Sequence, residues 1–323
     1  MRPLLLVFVS LLATVIAGCG DGEPTPSTSA SVSDSASTSP TLTATPSLVV
    51  PSKTPATPDR SALADEAEAA AGRLATSTAA AGQGIVEGGD VSWPQCPKGM
   101  GIPEKRSQGS PMPLDSATFV ILGLTNGPGF TPNPCLASQV AWARDRRLLT
   151  AAYSVVSWPS AAQLRQYGAS GPFDSTTRDG RLANAGYAQA LFNIDTMKAA
   201  GLSSPAIWLD VEPVPHFDWP ANTDENAQVV RGAARAYADQ GYQTGVYSTT
   251  ALWARVVGDL RLGLREWRAA GNTSRAEALI RCGQERTIQG GTPVLTQWVQ
   301  SGRDRDVTCP GESANLSRWF HQF

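Results

Sequence analysis

The sequence predicts an α/β protein in which strands and helices alternate to form a TIM-like (β/α) barrel with irregular or missing helices. Of the 23 aromatic side chains in the 323-residue chain, all but Phe8 lie from Trp93 onward. That leaves about 240 residues able to build a core, which matches one large α/β domain. Within this part, apolar runs typical of buried strands alternate with helical patterns, and carboxylates follow several of the runs.

The individual elements follow from these patterns. Apolar and β-branched runs predict strands at residues 84–92, 117–124, 148–156, 205–213, 243–248 and 293–300. Helical spacing predicts helices at residues 136–147, 181–200 and 223–240. The stretch 259–290 predicts at least one further helix, because its arginines are interleaved with acidic side chains as on a solvated helix face. In such barrels the active site lies at the carboxyl ends of the strands.

The N-terminus has the features of an export signal. Arg2 precedes an apolar run over residues 4–16 that is too short to span a membrane comfortably but fits a signal peptide. Residues 16–19 (Ile-Ala-Gly-Cys) resemble the bacterial lipobox, in which the cysteine becomes the lipidated first residue. We therefore predict a lipoprotein signal peptide at 1–18 and a membrane anchor on Cys19, on the outer face of the cell membrane. The alternative is ordinary signal cleavage near Ala17.

A tether follows the signal peptide and precedes the barrel domain. Residues 22–58 are rich in Ser, Thr, Pro and Ala, which is typical of a disordered linker. Residues 59–81 predict a capped, Ala-rich helix that buries little. The predicted organisation is thus a tether over 19–84 and a barrel domain over 85–323.

The five cysteines support export. Without Cys19, four remain, and four cysteines in an oxidising compartment suggest two disulfides. Three pairings are possible, and four free buried thiols are the alternative. We favour Cys96–Cys135 and Cys282–Cys309, because each pair ties neighbouring segments at one end of the domain.

Composition excludes several classes of function. The net charge of −2 gives no basic excess for nucleic acid. Two histidines cannot supply a three-His zinc site, and no P-loop motif is present. We expect no cofactor, no resident metal and a monomer.

The sharpest chemical signal is the Asp210-Val-Glu212 segment after an apolar run. Residues i and i+2 of a strand point to the same face, so the two carboxylates lie side by side, with Asp90 nearby from the first strand. Like charges at short range raise at least one pKa, which is what a glycosidase needs for its acid. The alternative is a divalent cation such as Mg²⁺ or Ca²⁺ held by these three residues and Asp306.

Several segments of the sequence resemble motifs of glycoside hydrolase family 25, the lysozyme-like muramidases. Residues 89–95 (Gly-Asp-Val-Ser-Trp-Pro-Gln) resemble the first-strand motif of that family, and residues 208–212 (Trp-Leu-Asp-Val-Glu) its Asp-x-Glu strand. Residues 247–248 (Tyr-Ser) resemble the end of a later strand, and residues 297–298 (Gln-Trp) followed by Asp306 its closing strand.

The likeness is greatest to a lysozyme-like barrel group of exported actinobacterial proteins. In that group an Asp-Val-Ser-Trp-Pro-Gln-Cys segment opens the domain, and Gly-Gly-x-Pro followed by Asp-x-Asp-x-x-Cys closes it. Here the closing segments are residues 290–293 and 304–309, so the resemblance covers about residues 88–310. The order Thr-Gln-Trp over 296–298 departs from the Trp-Gln-Tyr of family 25, and Pro94 splits its Trp-Gln pair.

The resemblance implies roles for individual residues. Glu212 is the general acid, Asp210 orients the substrate acetamido group or stabilises the developing cation, and Asp90 completes the catalytic set. Substrate-binding residues are then Asp306 and Gln297 together with the aromatic side chains Trp93, Tyr153, Tyr247 and Trp298, whose rings suit stacking on sugar faces. For each single ring, packing in the core or at the rim of the barrel is the alternative.

The sequence therefore predicts a surface lipoprotein that hydrolyses glycosidic bonds of peptidoglycan or a related polysaccharide by carboxylate acid catalysis. Cell-wall glycan is the expected partner. A non-catalytic glycan-binding barrel tethered at the membrane is the main alternative, and a scaffolding lipoprotein with a vestigial cleft is the third.

Overall fold

Eight strands close on one another in chain order in the computed structural model, which describes residues 84–323. The strands β1 to β7 are parallel, whereas β8 runs antiparallel to both of its neighbours, β7 and β1. The strands are β1 (Glu87–Val91), β2 (Phe119–Gly123), β3 (Leu149–Val155), β4 (Ala206–Asp210), β5 (Gln243–Ser248), β6 (Arg265–Asn272), β7 (Pro293–Gln300) and β8 (Arg303–Thr308).

The helices around the barrel are uneven in length. Only a 3-10 turn, Trp93–Gln95, stands between β1 and β2, and β7 and β8 form a hairpin. The helices are α1 (Leu136–Asp145), α2 (Ala161–Tyr167), α3 (Arg178–Ala199), α4 (Thr223–Asp239), α5 (Thr250–Val257), α6 (Arg275–Ile280) and α7 (Leu316–Trp319). The predicted α/β barrel with irregular or missing helices is thus confirmed.

The two faces of each strand have different partners. In β4, Trp208 points into the barrel, while Ile207 and Leu209 belong to the apolar layer between the strands and the outer helices. This alternation follows from the two-residue period of a strand. It also turns Asp210, the last residue of β4, into the barrel.

Aromatic rings fill the barrel near the end where the parallel strands begin. The rings of Trp208 and Trp319 stack with their centroids 4.8 Å apart. The rings of Phe119 and Phe320 are 4.7 Å apart, so α7 and the residue after it close the end where the parallel strands begin. The opposite end of the barrel, where the parallel strands finish, is not closed in this way.

Both favoured disulfides are present. Cys96 is bonded to Cys135, which ties the β1–β2 connection to the start of α1. Cys282 is bonded to Cys309, which ties the segment after α6 to the end of β8. The pairing preferred from the sequence is confirmed.

Two elements differ from the sequence prediction. The stretch 259–290 contains strand β6 as well as helix α6, and Arg268 on β6 is 1% exposed rather than part of a solvated helix face. Residues 303–308 form β8, although no strand was predicted there. Both strands are rich in charged side chains, which hides the apolar signal of a strand.

Other predictions lie outside the described residues. These are the signal peptide, the lipidated Cys19, the tether and the Ala-rich helix. Within residues 84–323, no helix is both long enough and apolar enough to cross a membrane.

Candidate active site

A cleft of about 400 Å³ opens at the carboxyl ends of the parallel strands. Four carboxyl groups face it, three of them from β1, β4 and the segment directly after β4. The fourth comes from β8, whose first residues lie at this end of the barrel because the strand runs antiparallel. The four acidic residues are Asp90, Asp210, Glu212 and Asp304.

Glu212 is held at the mouth of the cleft by the loop that follows it. Its backbone carbonyl accepts a hydrogen bond from Trp219 Nε1 at 3.1 Å, and Pro213 and Pro215 stiffen the intervening chain. The side chain is half-buried. Burial raises the pKa of the Glu212 carboxyl, Lys105 opposes that rise, and Asp304 adds to it. Glu212 is therefore able to hold a proton at a higher pH than an ordinary glutamate.

Asp210 lies deeper, with only 4% of its surface exposed. Burial, followed by the nearby Glu212 charge, raises the pKa of Asp210 well above its usual range. Its Oδ1 atom is buried and has no hydrogen-bond partner among the described residues. A buried oxygen without a donor is costlier when it carries charge, so these surroundings favour the protonated form of the Asp210 carboxyl.

A chain of hydrogen bonds forms the floor of the cleft. The hydroxyl of Tyr247 donates to Gln297 Oε1 at 2.8 Å, and Gln297 Nε2 donates to Asp90 Oδ2 at 2.9 Å. Below them, Trp267 Nε1 donates to Asp306 Oδ1 at 2.7 Å. These contacts fix the Asp90 carboxyl relative to β5, β6 and β7.

Asp90, at the floor of the cleft, forms a carboxyl pair with Asp306, which lies beneath it. Burial raises the pKa of both groups well above the usual range, and the nearby Asp306 charge adds to the rise for Asp90. No N–H or O–H group among the described residues reaches Asp306 Oδ2. A single proton shared between the two carboxyls satisfies that oxygen and removes one of two buried like charges.

Replacing Asp306 with asparagine is expected to stabilise the protein at pH 8. The folded state binds the shared proton more tightly than the unfolded chain, whose aspartates titrate near pH 3.9, so stability falls as pH rises from about 4 toward the raised pKa values. The amide supplies a permanent N–H for Asp90 and keeps an acceptor for Trp267. We expect a gain of order 1 kcal/mol at pH 8 that shrinks toward pH 4.

Urea unfolding at several pH values measures this effect. Asp115→Asn, at an exposed position, is the matched control. A loss of stability at pH 8 in Asp306→Asn, with the same pH slope as the wild type, would contradict the shared proton.

The structure brings most of the predicted site residues together. Asp90, Asp210 and Glu212 all face the cleft, and so do the predicted binding residues Trp93, Tyr153, Tyr247 and Gln297.

Asp306 and Trp298 do not line the cleft. Asp306 lies beneath Asp90 and is fully buried, and Asp304, two residues earlier on the same face of β8, reaches the cleft in its place. Trp298 points to the outside of the barrel, packs against Ala278 and Val307, and carries the Arg305 guanidinium 4.9 Å from its ring centroid. The cause is strand alternation, because Gln297 occupies the inward position of this pair. The prediction that Trp298 contacts substrate is corrected accordingly.

Lys105 was missed by the sequence analysis. It lies in the β1–β2 connection and lines the cleft, with its ammonium 5.3 Å from the centroid of the Trp93 ring. This connection has neither helical nor strand periodicity, so the sequence gives no signal for the position of Lys105. The only hint is Cys96, whose disulfide holds the connection against the barrel.

A bound divalent cation would require several carboxyls to converge on one point. Among residues 84–323, no three His, Cys, Asp or Glu side chains converge in an arrangement that could hold a metal ion. This includes the four carboxyls considered in the sequence analysis.

A comparison with known protein families gives a match at this site. Residues 177–277 match the family described as "Lysozyme-like protein 1". The matched range includes β4, with Asp210, and Glu212 directly after it. "Lysozyme-like protein 5" of Caenorhabditis elegans is 31% identical over 70 residues, which is 22% of this chain and 31% of the relative. The chain thus spans about a third of the length of this curated relative.

Solved structures of similar architecture were also found. A family GH25 lysozyme from Aspergillus fumigatus is 18% identical with a TM-score of 0.45, covering 72% of this chain and 99% of its own. A muramidase from Acremonium alcalophilum is 17% identical with a TM-score of 0.47, covering 72% and 99%. The family match over residues 177–277 by itself confirms the resemblance to lysozyme-like proteins.

Proposed function

We propose that this protein hydrolyses glycosidic bonds of peptidoglycan or a related cell-wall polysaccharide, with Glu212 as the general acid. The observation that carries the proposal is the position of Glu212. It lies at the mouth of an acidic cleft, two residues after Asp210, and burial raises its pKa. A glycosidase needs such a protonated carboxyl to donate to the leaving oxygen. The match of residues 177–277 to a lysozyme-like family supports the assignment.

The second carboxyl acts on the sugar ring rather than on the leaving group. Asp210 lies below Glu212 in the cleft and has one oxygen without a protein partner. In our proposal the Asp210 side chain, which lines the cleft, accepts the N–H of the acetamido group or faces the positive charge that develops on the ring as the bond breaks. Both roles require Asp210 to be fixed, and its position at the end of a buried strand provides this.

The remaining groups hold the glycan and the acidic floor in place. Gln297 and Tyr247 orient the Asp90 carboxyl through the hydrogen bonds described above. The rings of Trp93, Tyr153 and Tyr247 face the cleft and offer apolar faces to sugar rings. A reaction at this site therefore uses side chains that are positioned before substrate arrives.

Release of reducing ends from purified peptidoglycan tests the proposal. The full chain, with both disulfides intact, is expected to release them, and the Glu212→Gln variant is not. Sedimentation with insoluble peptidoglycan is measured in parallel, because the variant should still bind. Binding by both proteins without release by either would contradict hydrolysis and favour the alternative of a non-catalytic glycan-binding barrel.

We also propose that the protein is exported and held at the outer face of the cell membrane by lipid on Cys19. The lipobox-like residues 16–19 support this, and so does the cysteine count, since the other four cysteines are used in two disulfides. Two acyl chains or more on one residue make a stable anchor. The tether then allows the barrel to reach the cell wall.

The anchor predicts a change of fraction. In cells that express Cys19→Ser, we expect the protein to move from the membrane fraction to the soluble or secreted fraction and to lose labelling by radioactive palmitate. Cys282→Ser, which leaves Cys19 intact, is the matched cysteine control and should stay labelled. Palmitate incorporation that is unchanged in Cys19→Ser would overturn the proposed anchor.

A further inference from the structure

We propose that Lys105 is a specificity residue that binds a carboxylate carried by the glycan, and so makes the cleft selective for anionic over neutral saccharides. This inference rests on the proposed function, because it takes the same cleft as a glycan site. Among the described residues that line the cleft, Lys105 is the only one with a cationic side chain.

The backbone around Lys105 is held in one conformation. The Lys105 N–H donates to the Ile102 carbonyl at 3.0 Å, and the Lys105 carbonyl accepts from Asn126 Nδ2 at 3.2 Å. The other side of the same amide, Asn126 Oδ1, accepts the Ile102 N–H at 2.8 Å. Asn126 is only 1% exposed, so a buried side chain from the β2–α1 connection fixes this turn. Lys105 is therefore not a freely moving surface lysine.

The Lys105 side chain also follows a defined path. A Cβ atom at Gly127, which has a φ of +99°, would lie 2.8 Å from Lys105 Cδ, so the stem runs directly over this bare glycine. At its end the ammonium lies 5.3 Å from the centroid of the Trp93 ring. A cation over an aromatic face is attracted to it, which holds the ammonium at the rim of the cleft.

Among the described residues, the Lys105 ammonium has no ion-pair partner. Within residues 84–323, no carboxylate lies within 4 Å of the Lys105 nitrogen, although Glu212 and Asp210 are close enough to influence its pKa. Partial burial lowers the Lys105 pKa, and the two acids oppose this. A half-buried cation that has lost water without gaining a partner is stabilised by an anionic ligand.

The charges of the cleft decide which saccharides gain from this arrangement. Four carboxyl groups face the cleft and none of them attracts an anion, so Lys105 is the one charged group lining it, among the described residues, that attracts a carboxylate on the glycan. A neutral glycan gains nothing from the ammonium. Lys105 thus makes an anionic glycan acceptable and sets which part of the cleft its carboxylate occupies. The carboxylate can belong to a sugar, as in a lactyl ether, or to a peptide attached to that sugar.

Binding of three synthetic tetrasaccharides tests the inference. All have alternating N-acetylglucosamine and N-acetylmuramic acid. The first has free lactyl carboxylates, the second has these converted to methyl amides, and the third has them joined to a dipeptide with a free carboxylate. Each is titrated into the full chain carrying Glu212→Gln, so that the ligand is not cleaved.

We expect this parent protein to bind one of the carboxylated ligands about fivefold more tightly than the amide, a size typical of an ion pair at a partly exposed site. The carboxylated ligand that is preferred identifies the source of the charge. Adding Lys105→Gln should remove the preference, whereas Lys105→Arg should keep most of it. Lys98→Gln, an exposed lysine in the same connection, should leave it unchanged.

Other results would overturn the inference. If the preference for a carboxylated ligand survives Lys105→Gln, or is absent from the parent protein, Lys105 does not bind the carboxylate. If Lys105→Gln weakens the binding of all three ligands equally, Lys105 contributes to packing and not to the recognition of a carboxylate. Failure of the parent to bind any of the three ligands contradicts the proposed glycan site itself, which separates the two failures.

Discussion

Replacing Glu212 by glutamine is expected to lower kcat on peptidoglycan by about 10²- to 10⁴-fold, the usual contribution of a general acid. Glutamine has nearly the same shape as glutamic acid but no transferable proton. Because no side-chain hydrogen bond of Glu212 to another described residue is lost, we expect little change in stability or in KM. Reducing-end release under saturating and limiting peptidoglycan measures kcat and KM separately.

The pH dependence of the activity provides a second test of Glu212 as the general acid. Burial raises the pKa of Glu212, so the carboxyl remains protonated above the pH at which an exposed glutamate ionises. Activity is expected to be present below that raised pKa and to be lost as pH rises through it. Glu285→Gln, whose parent side chain is 68% exposed, is the control and should keep both rate and profile. A Glu212→Gln variant with more than a tenth of the wild-type rate would assign the acid elsewhere.

The site residues that could be predicted from the sequence are those that lie at the ends of apolar strands. Strand β2 and the first four residues of β4 are continuous apolar runs because both of their faces are buried. The two carboxylates at the end of β4 and directly after it therefore stand out in the sequence. From this pattern Asp210 and Glu212 could be placed at a strand end, and the structure turns both toward the cleft. Local sequence suffices there because the burial of each residue is decided by its own strand.

Strand β8 could not be predicted, because its burial depends on its neighbours. Its sequence alternates arginine and aspartate, which on its own indicates a solvated segment. In the barrel Asp304 and Asp306 face inward, whereas Arg305 faces outward and lies over the Trp298 ring. Asp306 is accommodated by the Trp267 N–H of β6, a contact that the local sequence of β8 does not reveal.

Strand β6 was hidden for the same reason. Glu266 and Arg268 flank Trp267, and all three are essentially buried. Arg268 Nε donates to Glu266 Oε2 at 2.7 Å, and the two side chains also bind the backbone of residues 281–291. That segment folds over the outer face of β6 and supplies hydrogen bonds in place of water. A buried pair of charges is tolerated only with such compensation, which depends on residues distant in sequence.

Replacing Arg268 by methionine is accordingly expected to cost about 3–5 kcal/mol of unfolding free energy, because it leaves the Glu266 charge buried without its cationic partner. The change also removes donors from three backbone carbonyls, those of Arg281, Gly283 and Gly291. Urea unfolding with the disulfides intact measures the loss. Arg286→Met, whose parent side chain is 46% exposed and only 3.9 Å from Glu285, is the control and should change stability little.

The effect of Arg268→Met should reach the cleft through Trp267. This residue lies between the two charges, points into the barrel, donates to Asp306 and packs against the Tyr247 ring at 4.4 Å. If β6 loosens, the floor that orients Asp90 loosens with it, so activity should fall under conditions where the variant is still folded. The double variant Glu266→Gln, Arg268→Met removes both charges and should be less damaged than the two single losses combined. Additive losses, or full activity and stability in Arg268→Met, would show that the buried pair does not hold β6 in place.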